Sequence, residues 1–82
     1  MRINIYADEL TERVESEKKT PKNTDTEHVG IQFFVGREFE HTPGDDDSSA
    51  VIFWYHSAHE RTVLLTALKN AIREIENNPA PG

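Results

Sequence analysis

Polar and apolar positions alternate from the outset. In RINIYA, Ile3 and Ile5 share one face and Arg2, Asn4 and Tyr6 the other, which predicts a first strand. The next stretch, DELTERVESEKKT, reads two ways. Leu10 and Val14 stand four apart, as on one helical turn, while Thr11, Val14, Thr20 and the alternating charges suit an exposed edge strand. We read it as a strand paired back on the first, because Lys and Glu guard an edge against wrong pairing. PKNTDTE is a turn or loop by composition. HVGIQFFVG carries the strongest strand signal, with Val29, Ile31, Phe33 and Val35 on one side and Gly30, Gln32, Phe34 and Gly36 on the other. After the long connection REFEHTPGDDDSS comes AVIFWYH, apolar on both faces: Val51, Phe53 and Tyr55 against Ile52, Trp54 and His56.

The period then changes. Val63, Leu64, Ala67, Leu68, Ala71, Ile72 and Ile75 recur at helical steps and form one stripe. Ser57 and Glu60 have the spacing of a capping box, in which a hydroxyl and a carboxylate each take a free backbone N–H. Asn77, Asn78 and Pro79 end the helix. The predicted fold class is α+β: an antiparallel β-sheet of about four strands with one C-terminal helix packed on one face. Residues 1–78 form a single domain and 79–82 a disordered tail. One helix covers one face of a sheet, yet the last two strands are apolar on both. Phe34 and Trp54, or else Phe33 and Phe53, therefore need cover from a second copy of the chain or from a ligand.

Composition sharpens that expectation. A chain of 82 residues buries only about 60% of its unfolded surface, and 35% apolar residues is low for a domain standing alone. With no cysteine, neither a disulfide nor a thiolate metal site helps, so self-association to a dimer or higher homo-oligomer is expected. A net charge of −6 argues against gripping long DNA or RNA through its phosphates. No apolar run approaches the ~20 residues of a membrane span, and MRINIYADEL lacks the apolar core of a signal peptide, so a soluble intracellular protein is expected.

Candidate chemistry is sparse. Asp45, Asp46 and Asp47 are adjacent and point in different directions, which suits a solvated turn better than the spaced ligands of a cation loop. Alternatively, one of them, aided by Ser48 and Ser49, accepts hydrogen bonds from a ligand's hydroxyls or exocyclic amine. His56 and His59 lie three apart, and a zinc site would need further ligands such as His41. There is no cysteine, serine elbow or Gly-rich phosphate loop, so we read the chain as a non-enzyme without a cofactor or metal. Arg37 closes the third strand and Arg73 stands in the last turns of the helix, placed either for salt bridges with Glu38, Glu40, Glu74 or Glu76 or for phosphate recognition.

MRINIYADELTERVE, VGIQFFVG and HTPGDDDSSAVIFW resemble a family of small phage- and prophage-encoded proteins that is similar to the Thoeris anti-defence nucleotide sponges. These blocks cover about half the chain, and the Asp-rich turn leading into SAVIFW is the most specific part. The resemblance implies a β-sheet-plus-helix oligomer in the cytoplasm of an infected bacterium. It would trap a cyclic nucleotide or cyclic ADP-ribose-type immune signal without cleaving it. The ligand-binding residues would then be Gln32, Phe34 and Trp54 on the strands and Arg37 and His41 at the connection. Asp47 and Ser49 before the last strand and Arg73 on the helix complete the set. The chain departs from the family in having Gln32 where an Arg often stands, and in a short Val35–His41 connection and helix region. Two other functions fit the composition: an acidic, anti-CRISPR-like inhibitor of a host defence protein that presents GDDDSS, or a structural phage accessory dimer.

Overall fold

The computed structural model describes residues 1–36 and 49–82. Among these residues three strands form one antiparallel sheet: β1 (Leu10–Lys19), β2 (His28–Val35) and β3 (Ala50–Tyr55), in the order β1-β2-β3. The helix α1 (Ala58–Glu76) follows β3. The α+β class, the antiparallel sheet and the single C-terminal helix agree with the sequence pattern. The strand count does not.

RINIYA is not a strand. The Glu9 N–H donates to the Tyr6 carbonyl (2.8 Å), closing a turn of 3-10 helix over Ala7–Glu9 that feeds directly into β1. The segment has no ladder beside it, and alternation alone does not hold a strand without backbone partners. β1 pairs with β2 instead of with the first residues, from Leu10↔Val35 to Lys19↔His28. It is nevertheless an edge, as its charges suggest.

Between Leu10↔Val35 and Val14↔Phe33, β1 spends three residues where β2 spends one. The bulge places Glu12 in the left-handed region (φ 66), where a non-glycine residue is strained by about 1–2 kcal/mol. Thr11 secures it: its hydroxyl donates to the Phe34 carbonyl (3.3 Å) and accepts from the Arg13 N–H (3.3 Å). Arg13, at the end of the bulge, lies on the face of the sheet that carries Phe34, as the alternation with Glu15 requires.

The faces follow the sequence alternation. On one, Phe33 and Phe53 meet edge to face at 5.7 Å, flanked by Val29, Ile31, Val51 and Tyr55. On the other, Gly30, Gln32 and Phe34 stand opposite Trp54, Ile52 and Ala50. Helix α1 starts as its cap predicts. Ser57 Oγ accepts from the Glu60 N–H (3.1 Å), while Glu60 Oε1 accepts from the His56 N–H (2.9 Å), one residue ahead of the cap. Ser57→Ala should cost about 0.5–2 kcal/mol of stability, read as a lower urea midpoint with unchanged m.

Helix α1 does not lie flat across the sheet. It meets the sheet chiefly through β3, and of its apolar stripe only Leu64 and Leu68 are half-buried. Its 19 residues span about 28 Å against roughly 20 Å for β3, so the helix overhangs the strand. The only buried hydrophobic residues among those described are Phe34 and Val35. The Cα radius of gyration is 15.5 Å, where a compact chain of this length has about 12 Å.

Candidate ligand-binding face

The sheet face opposite the phenylalanine pair gathers aromatic rings and cations. Gly30 is buried at its centre because Trp54 lies across it: a Cβ on Gly30 would sit 2.9 Å from Trp54 Cε3 and Cζ3 and 2.8 Å from Ile52 Cγ2. The absent side chain is what lets the indole lie down over β2. Trp54 remains 38% exposed, so part of its ring is open to a ligand. Lys19, at the end of β1, holds its ammonium 5.9 Å from the Trp54 ring centre.

Beside Trp54, Lys19, Pro21 and His28 line a cleft of about 330 Å³. The His28 Nδ1–H donates to the Thr26 carbonyl (3.1 Å), which directs Nε2 away from the turn as an acceptor in the neutral ring. The His28 and His56 rings meet edge to face at 4.7 Å across the strand pair. Farther along, the Arg13 guanidinium lies 4.2 Å over the Phe34 ring and bonds Glu15 Oε2 at 2.6 Å. Two carboxylates therefore share this face with two cations, since Glu15 and Glu17 stand opposite Gln32 and Gly30. Arg13 keeps further N–H donors beyond the one given to Glu15, and an exposed pair of this kind holds by at most about 1 kcal/mol. An incoming anion can compete for it.

Of the residues expected at the site, Gln32, Phe34 and Trp54 share this face. Phe34 is 8% exposed and roofed by Arg13, so it supports the cation instead of offering a ring to a ligand. Ser49 lies elsewhere: its carbonyl accepts from the Val35 N–H (2.9 Å), and it lines a separate cleft with Ile3, Ile5 and Val51. Arg73 belongs to the last turn of α1 and lines neither cleft. Arg37, His41 and the Asp45–Asp47 run are outside the described residues, as is Ser48.

Arg13, Lys19 and His28 are not among the ligand contacts expected from sequence, and His56 enters there only as a metal ligand. The signal for Lys19 and His28 was their position at the two ends of one hairpin, legible once β1 is paired with β2. Arg13 shares the alternation of Glu15, Glu17 and Lys19, so its face was legible in the strand pattern, while its seat on Phe34 waited on the pairing of β1 with β2. His56 and His59 diverge, His56 meeting His28 while His59 lines a cleft with Phe53 and Val63. Among the described residues, no cluster of three or more His, Cys, Asp or Glu could hold a metal. No helix among them is long and apolar enough to cross a membrane. Comparison of the chain with family models, with curated proteins and with solved structures returned no match, so the assignment of this face rests on its geometry.

Proposed function

We propose that the chain is a non-enzymatic binding protein that sequesters a small nucleotide-type signal. The ligand class is the one its phage-family resemblance implies, a cyclic nucleotide or cyclic ADP-ribose. The observation that carries this reading is the Trp54 indole spread over Gly30, with Lys19 and His28 beside its open part. A base stacked on that ring gains about 1–3 kcal/mol, and the Lys19 ammonium stands where it can meet a phosphate. Gln32 and Arg13 extend the polar contacts along the same face, and Arg37, His41 and Asp47 belong to the proposal from the sequence reading, whereas Ser49 and Arg73 do not line this cleft. A homo-oligomer of such faces, working in the cytoplasm of an infected bacterium, would need roughly nanomolar affinity, about −12 kcal/mol, to compete with a signal receptor.

Native mass spectrometry tests this directly, with the full chain incubated in a pool of cyclic oligonucleotides and cyclic ADP-ribose isomers. The expected result is one defined nucleotide mass, released intact on denaturation. Trp54→Ala should then weaken binding about 5- to 150-fold, the range that loss of one stacked base gives. Lys19→Ala, at an exposed position that leaves the sheet intact, should weaken it in the same direction. No added mass across the pool would overturn the reading.

A further inference from the structure

The two edges of the sheet are unlike. The outer edge of β1 is dense in Lys and Glu, the usual guard against pairing, whereas β3 reads AVIFWY and carries no charge, proline or bulge. The hydrogen bonding shows which groups that edge offers. The Val35 N–H donates to the Ser49 carbonyl, so odd-numbered residues of β3 bond to β2. The N–H and C=O groups of Ala50, Ile52 and Trp54 therefore point outward, and no strand lies beyond them among the described residues.

Along this same edge Phe53, Trp54, Val63, Leu64 and Ala67 line an open cleft of about 500 Å³ between β3 and α1. Val63 is 54% exposed, and Ile72 and Ile75 on the overhanging helix are 56% and 70% exposed. The chain exposes 7290 Å², where a compact monomer of 9.4 kDa exposes about 5,000 Å². The excess, roughly 2,300 Å² per copy, includes the exposed N-terminal residues Met1, Ile3 and Tyr6 and is large enough to supply a homodimer interface, which takes about 2,000–5,000 Å² from both copies together.

We infer that a second copy of this chain occupies that edge, β3 pairing antiparallel with β3 about a two-fold axis near Ile52. The axis stands perpendicular to the sheet, as it must when a strand pairs antiparallel with its own copy. Both helices then fall on the same side and pack against each other over the clefts, closing the apolar stripe that one sheet leaves uncovered. The product is a six-stranded sheet whose other face carries two copies of the Trp54 site. The inference stands independently of what that site binds.

Sedimentation velocity of the full chain over a concentration series tests it. The wild type should sediment at twice 9.4 kDa or as a closed multiple of that unit. Ile52→Pro removes one outward N–H and should return the mass to a single copy. Ser16→Pro, which by the same alternation removes an outward N–H from the β1 edge, should leave the mass doubled. Val63→Glu decides the case if Ile52→Pro does not fold, since its site is more than half exposed in one copy: it should dissociate the dimer while the helical circular dichroism persists. A wild type of 9.4 kDa throughout, a doubled mass in Val63→Glu, or dissociation by Ser16→Pro alone would each overturn the inference.

Discussion

Phe34→Ala is expected to cost about 3 kcal/mol, most of what a domain this small has to lose. Phe34 and Val35 are the buried hydrophobic residues of the described chain, so no second core stands in reserve. The substitution also removes the surface on which Arg13 rests, 4.2 Å from the ring centre, and leaves the guanidinium to Glu15 and water. The lost cation–π contact adds about 0.5–1 kcal/mol at most, because the site is partly exposed, so the cavity dominates. Urea denaturation of Phe34→Ala and Arg13→Ala separates the two. Phe34→Ala should drop the midpoint several-fold more than Arg13→Ala, and equal effects would mean that the cation, not the ring, holds the bulged end of β1.

Gly30→Ala should be the next most damaging change, at about 1–3 kcal/mol. Its Cβ would lie 2.8–2.9 Å from Ile52 and from two ring atoms of Trp54, closer than carbon atoms approach in folded proteins. Because the conflict is with one six-membered ring edge, relief means swinging the indole off β2 toward solvent. The expected signature is a red-shifted, more quenchable Trp fluorescence together with the stability loss. Trp54 is the sole tryptophan, so the signal reports this site alone. A destabilised Gly30→Ala protein with unchanged emission would show that the backbone moved and the ring did not. Where ligand binding is measured, the displaced ring should also carry away the stacking surface.

The strand pattern of the middle of the chain was legible because its period is short and its residues β-branched or aromatic. HVGIQFFVG and AVIFWYH both form strands, with the two faces the alternation assigns. The helix was legible for a comparable reason, since the Ser57–Glu60 spacing and the apolar stripe both describe groups close together in the chain. RINIYA misled because alternation states which way side chains would point and says nothing of whether a neighbouring strand exists. The strand that follows, β1, pairs with β2 instead.

The candidate site divides along the same line. Gln32, Phe34 and Trp54 were foreseeable as one face, since residues two apart on a strand, or facing each other in register, look the same way. That Phe34 is roofed and Trp54 open was not foreseeable. It depends on a cross-strand register that sets Arg13 beside Phe34 and on a glycine that sits opposite a tryptophan across strands, 24 residues away. By itself, then, the sequence determined the elements that depend on near neighbours: two strands with their faces, one capped helix, and a shortage of apolar residues for a lone domain. Tertiary structure decided the pairing of β1 with β2, the seating of Arg13 on Phe34, the lie of Trp54 and the open β3 edge. Each of these is a contact between groups far apart in the chain, where geometry in space, not local periodicity, chooses the partner.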